Sequence, residues 1–199
     1  MSDLMVDFII SLDGYASADG WPGFWGMEVP EYLAWLGEDS ENAHTTLMGA
    51  TTYRLMSGFA QEAPEDDPAF AGLNAMPKVV FSSTLEAPLS WTGTELVRRD
   101  AVEAVRERKR HDSRPLRTLG SLSLCRSLLR AGVVDRFRVV VFPVVTGATG
   151  RERIFDGYPD IALDLVESRT FDGRLQLLEY VPTVLDGPPA DTTGFDHVP

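Results

Sequence analysis

Cysteine is almost absent. Cys125 is the only one in 199 residues, so no internal disulfide and no Cys-x-x-Cys zinc site can form. Histidine is nearly as scarce, and His44, His111 and His197 are too scattered to read as a ligand set, so no metal is expected. No run approaches the ~20 apolar residues that span a bilayer. The Met-Ser-Asp start also lacks the basic and apolar regions of a secretory signal. A cytoplasmic chain with no membrane partner is therefore expected. Cations are outnumbered, 18 against 30 acids for a net charge of −12, which argues against a nucleic-acid partner, whose binding surface should be basic. Neither a GxGxxG nor a Walker pattern occurs, so the familiar dinucleotide and P-loop folds are not indicated. Internal repeats and low-complexity linkers are missing too.

What is present is a globular composition, 44% apolar and 24% charged, enough for one sizeable core. Leu4 to Leu12 is β-branched and aromatic and stops at Asp13-Gly14, a strand followed by a turn. Tyr15 to Val29, with Trp21, Pro22, Gly23, Phe24, Trp25 and Gly26, reads as a loop that packs over something. Pro30 suits the first turn of a helix to about Asn42. Thr45 to Met48 is a short strand ended by Gly49, and Thr51 to Met56 begins the next helix. Residues 61–68 read as an acidic loop, and Lys78 to Phe81 as a strand running into Ser82-Ser83-Thr84.

A charged helix over Arg99 to Arg110 and a strand over Leu116 to Leu119 follow. Gly120-Ser121 then opens a helix with Leu122, Cys125, Leu128 and Leu129 on one face. Val133 to Val145 carries the longest strand signal. Ile161 to Thr170 and Leu175 to Val181 flank Asp172-Gly173 as a closing hairpin. The expectation is one α/β domain over 1–182, a three-layer α/β/α fold whose mostly parallel sheet ends in an antiparallel hairpin, with a disordered tail over 183–199.

Gly49 with Thr51 and Thr52, Ser82-Ser83-Thr84, and Gly120-Ser121 all fall at strand ends. In an open α/β sheet such ends face one crevice, where helix N-termini offer unpaired N–H groups to an anion. Gly147 and Gly150, past the long strand, allow close backbone approach to a ligand. Each alone is an ordinary capping arrangement; together they suit a phosphate-bearing cofactor. Asp13 could orient a substrate or relay a proton, or serve only as a turn residue.

Phe8-Ile-Ile-Ser-Leu-Asp-Gly-Tyr, Leu47-Met-Gly-Ala-Thr-Thr-Tyr, Lys78-Val-Val-Phe-Ser-Ser-Thr-Leu, Leu119-Gly-Ser-Leu-Ser-Leu and Val141-Phe-Pro-Val-Val-Thr-Gly-Ala-Thr-Gly occur in that order. This series resembles the dihydrofolate reductase-like superfamily and, within it, the RibD C-terminal-like reductase domain of riboflavin biosynthesis, over roughly residues 4–181. The resemblance implies a homodimeric reductase that passes a hydride from NADPH to a small C=N or C=O substrate such as 5-amino-6-(5-phosphoribosylamino)uracil. It places Gly49, Ala50, Thr51, Thr52, Ser82, Ser83, Thr84, Gly120, Ser121, Leu122, Gly147 and Gly150 around the cofactor and Asp13 beside the reacting centre. Tyr15, Trp21, Trp25 and Tyr32 are the substrate-side candidates. Val133 to Val145 and the final hairpin are the expected dimer surface.

Three departures shape the expectation. Ala50 stands where the family usually has an arginine for the extra phosphate of NADPH, which opens the way to NADH unless Arg98 or Arg99 substitutes. Leu122 replaces a common glycine. Tyr32 replaces the first-helix acid of true dihydrofolate reductases, so dihydrofolate is a poor substrate candidate, and one cysteine cannot supply the zinc site of a deaminase half. The alternative readings are a small-molecule-binding protein on a reductase scaffold with weakened cofactor binding, and a flavin in the same crevice. The acidity does not oppose an anionic cofactor, because Arg98 to Arg117 holds eight of the eighteen cations.

Overall fold

Leu4, Val6, Phe8 and Ile10 alternate with Met5, Asp7 and Ile9 along the first strand. The first set is buried and the second half-buried, the pattern of a strand covered on both faces. In the computed structural model, which describes residues 2–20, 26–40, 43–64 and 68–188, this strand is β1 (Leu4–Ser11). It is followed by β2 (Tyr15–Ala18), α1 (Pro30–Ser40), β3 (Thr45–Gly49), α2 (Ala50–Glu62), α3 (Pro68–Ala75), β4 (Lys78–Phe81) and β5 (Thr94–Val97). Then come α4 (Ala101–His111), β6 (Leu116–Thr118), α5 (Leu122–Arg130), β7 (Arg136–Phe142), β8 (Gly150–Arg153), β9 (Ile161–Phe171) and β10 (Leu175–Val184).

Eight strands form one sheet in the order β5-β4-β3-β6-β1-β7-β10-β9. The first six are parallel, and β10 and β9 are antiparallel. On one face, α5 buries Leu124, Cys125, Leu128 and Leu129, and α4 buries Ala104 and Val105, against Leu4, Val6, Phe8 and Phe137. Each fully buried leucine there contributes about 1.5–3 kcal/mol. On the other face α1 seats Tyr32 over Val140, Phe142, Phe171, Leu175 and Leu177, while α2 seats Tyr53 beside Met48, Val80 and Trp91. This is the expected three-layer α/β fold, with its mostly parallel sheet and closing hairpin.

Lys78 opens β4 with its amine buried. It donates to the carbonyls of Leu73, Asn74 and Met76 at 2.7, 3.3 and 2.7 Å, closing the last turn of α3 as a cation at a helix C-terminus should. In mid-sheet, Asp7 lies between Arg117 of β6 and Arg138 of β7. Its carboxylate accepts from Arg117 Nε at 2.9 Å and from Arg138 Nε and Nη2 at 3.1 and 2.9 Å. Burial alone would raise the Asp7 pKa, but the two guanidiniums outweigh it and hold the carboxyl well below the usual carboxylate range. The Arg138 guanidinium also lies 4.8 Å from the Trp35 ring.

Several boundaries differ from the sequence expectation. The segment after Asp13-Gly14 is not all loop, since β2 pairs with β8 as a small antiparallel ribbon. The expected strand over Val133 to Val145 shortens to Arg136–Phe142. Pro143 has no N–H with which to continue the ladder, and before the strand the Asp135 carboxylate takes the Leu4 N–H at 2.7 Å. The expected end of the domain at residue 182 moves outward. β10 runs to Val184 and the Leu185 N–H bonds Asp160 O at 2.8 Å; residues 189–199 lie outside the described residues. The acidic loop expected over 61–68 narrows, because α2 reaches Glu62 and α3 starts at Pro68. No helix among the described residues is long and apolar enough to cross a membrane.

Candidate functional site

β3 and β6 are adjacent parallel strands, so the helices that follow them, α2 and α5, begin side by side. Ser121 joins the two. Its Oγ accepts from the Gly49 N–H at 2.7 Å and lies 2.7 Å from Thr52 Oγ1. Gly120 and Ser121 both have positive φ, 55° and 71°. Glycine adopts that conformation freely, whereas a serine held there carries about 1–3 kcal/mol of backbone strain. Neither Gly49 nor Ser121 caps its helix with a side chain, which leaves first-turn N–H groups of both helices without a side-chain acceptor. A Cβ on Gly49 would come within 3.4 Å of Ser121 Oγ, and one on Gly120 within 3.5 Å of Thr52 Oγ1. Gly49, Ala50, Thr51, Thr52, Gly120, Ser121 and Leu122 thus come together, as the strand-end argument requires.

One strand further out, Ser82 follows β4, whose Phe81 pairs with Gly49. Ser82 Oγ accepts the N–H groups of Thr84 and Leu85, each at 3.1 Å, so Ser82-Ser83-Thr84 is a hydroxyl-braced turn. Arg98, just past β5, donates to the carbonyls of Ser83 and Leu85 at 3.3 and 2.6 Å. That pins a guanidinium against the turn.

At the neighbouring strand ends, Asp13 ties the end of β1 to the segment after β7. Its carboxylate accepts from Ser11 Oγ at 2.7 Å, the Thr146 N–H at 3.2 Å and the Gly147 N–H at 2.9 Å. The Ser11 hydroxyl and then the Gly147 amide lower the Asp13 pKa to about 2. Ser11 also takes the Tyr15 N–H at 3.0 Å. Gly150 packs against Tyr15 so closely that a Cβ there would sit 2.7 Å from the ring and from Thr146 Oγ1. Close approach is what Gly150 provides, and the neighbour is Tyr15. Leu12 and Val145, 67% and 66% exposed, stand at these two strand ends.

One substrate-side expectation is overturned. Tyr32 is 1% exposed, with its ring 5.7 Å from Phe142, 5.6 Å from Phe171 and 5.9 Å from Trp35. Burial pushes its phenol pKa up. The face of α1 that carries Tyr32 is the one packed on Val140, Phe142, Phe171, Leu175 and Leu177, so Tyr32 is a core residue. Trp21 and Trp25 lie outside the described residues. Sequence reasoning missed Ser11 and Thr146, whose partners come from across the chain; the hydroxyl of Ser-Leu-Asp-Gly was the available signal for the first. Among the described residues no cluster of His, Cys, Asp and Glu could hold a metal ion.

The sheet order and helix layers define the class, an α/β domain of dihydrofolate reductase-like architecture. A Shewanella sp. PV-4 protein named for riboflavin biosynthesis superposes with a TM-score of 0.71 at 18% identity, over 91% of this chain and 99% of that one. A pyrimidine reductase-like protein from Corynebacterium diphtheriae gives 0.63 at 15% identity, over 92% of each chain. The Thermotoga maritima diaminohydroxyphosphoribosylaminopyrimidine deaminase/5-amino-6-(5-phosphoribosylamino)uracil reductase gives 0.65 at 15%, over 92% of this chain but 57% of its own. The RibD C-terminal domain model matches residues 3–177, and the chain belongs to that family. In sequence it is also 24% identical over 182 residues to the uncharacterized protein YyaP of Bacillus subtilis (strain 168).

Proposed function

We propose that this chain is a reductase that takes NADPH in the crevice across β3, β6 and β1 and reduces a small C=N or C=O compound of the pyrimidine kind named for the Thermotoga relative. The observation that carries the reading is the Ser121 junction, where two helix N-termini without side-chain caps converge beside glycines. That arrangement fits a diphosphate, since each helix end presents about half a positive charge and free amides. Gly49, Thr52, Gly120 and Ser121 would hold the diphosphate. The Ser82-Ser83-Thr84 turn would hold the neighbouring phosphate, with Arg98 supplying the charge that Ala50 lacks and so favouring NADPH over NADH. When bound, the reduced nicotinamide would supply the hydride and be left oxidised, with the accompanying proton coming from solvent.

The protein's own part is positioning. Asp13, ionised down to about pH 2, has no proton to give at neutral pH; it holds Thr146 and Gly147 at the edge of the site. Titration by tryptophan fluorescence tests the reading, with four tryptophans for signal. NADPH is expected to saturate below about 1 mM, and Ser121→Ala to bind about tenfold more weakly through the lost hydroxyl contacts. Failure of both NADPH and NADH to bind would overturn it.

A further inference from the structure

α2 has different neighbours on its two flanks. On one, Thr52 Oγ1 lies 2.7 Å from Ser121 Oγ, toward β6. On the other, Gln61 Nε2 donates to Ser90 Oγ at 3.2 Å, and Ser90 belongs to the connection that leaves β4 through Ser82-Ser83-Thr84. Tyr53 turns inward between them, its hydroxyl accepting the Ser90 N–H at 2.9 Å.

Helix geometry then places Arg54. At about 100° per residue, Arg54 lies within about 20° of Gln61, seven positions on, and about 160° from Thr52. It leaves α2 on the Ser90 flank. Helical side chains slope toward the N-terminus, so its guanidinium is carried back over Ala50, one turn earlier on the same side, where the side chain is a single methyl. Gly49 pairs with Phe81, so Ala50 and Ser82, the next residue of each chain segment, stand side by side. Arg98 meets the same turn from the β5 side, through the carbonyls of Ser83 and Leu85. Two guanidiniums therefore flank the hydroxyl turn. Arg98 has committed N–H groups to those carbonyls, whereas Arg54 is exposed and, among the described residues, its guanidinium has no hydrogen-bond or ion-pair partner.

We propose that Arg54 decides between NADPH and NADH, pairing across the Ser82-Ser83-Thr84 turn from Arg98 with the phosphate monoester that only NADPH carries. The assignment rests on the reductase reading above and adds a residue to it. A guanidinium suits the role, since its planar fork can give two parallel N–H bonds to phosphate oxygens and it stays charged at every working pH. The charge missing at position 50 is thus returned four residues later.

Calorimetric titration of the full chain with NADPH and with NADH, at one ionic strength, tests the assignment. The wild type is expected to bind NADPH about tenfold more tightly than NADH, or better. Arg54→Gln keeps the reach of the side chain and loses its charge. It should raise the NADPH dissociation constant about tenfold or more and leave that of NADH unchanged. Arg54→Lys, which keeps the charge without the fork, should fall between the two. Position 54 is exposed, so both variants should keep the wild-type circular dichroism spectrum and urea midpoint. A wild type that binds the two dinucleotides alike, or an Arg54→Gln variant that weakens both equally or neither, would overturn the assignment and leave the reductase reading standing. A wild type that binds neither dinucleotide would overturn that reading and the assignment with it.

Discussion

Gly150 lies against the ring of Tyr15 with no room for a single extra carbon, since a Cβ there would stand 2.7 Å from Tyr15 Cγ. Gly150→Ala is therefore expected to part β2 from β8 and to destabilise the fold by about 1–3 kcal/mol, the usual cost of overpacking. Urea unfolding measures it. Shortening the neighbour with Tyr15→Ala should recover part of the loss, and an unchanged midpoint in the single variant would show that the ribbon yields freely.

Asp13 provides a pH-dependent test. Its pKa is lowered to about 2 from an ordinary value of 3.8, so the folded state binds the proton less readily than the unfolded chain. The resulting stabilisation is fully present above about pH 4 and lost as the pH falls toward 2. The difference in thermal midpoint between wild type and Asp13→Asn should be constant near neutrality and shrink across that window. A difference that persists unchanged at pH 2 would mean that the carboxylate charge contributes nothing to holding Thr146 and Gly147.

Asp7→Asn should be more damaging than its conservative chemistry suggests. It leaves the Arg117 and Arg138 side chains, 16% and 5% exposed, without the charge between them, and breaking a buried pair of this kind costs about 3–5 kcal/mol. A fall of less than about 1 kcal/mol in urea unfolding would show that solvent reaches the guanidiniums.

These residues also mark where the sequence stops being informative. β1 and the final hairpin were legible because their signals are local: a β-branched run halted by Asp-Gly, and two runs around Asp172-Gly173. The strand-end glycines and hydroxyls were legible for the same reason. Tyr32 was misplaced because an aromatic on a helix cannot be oriented until the face that meets the sheet is known. Asp7 drew no notice within its apolar run, since its partners stand 110 and 131 residues away. The Ser121 bridge likewise spans 72 residues. β5 and α3 were missed outright. Thr94–Val97 offers two apolar residues on an edge, and Pro68–Ala75 has no polar face to give a period.

The three carbonyl bonds of Lys78 have a consequence for how this chain can vary. They fasten the exit of α3 to the first residue of β4, and four residues later the strand delivers Ser82 to the crevice. Position 78 can therefore change only by loosening the entry to β4 and, through it, the turn at Ser82.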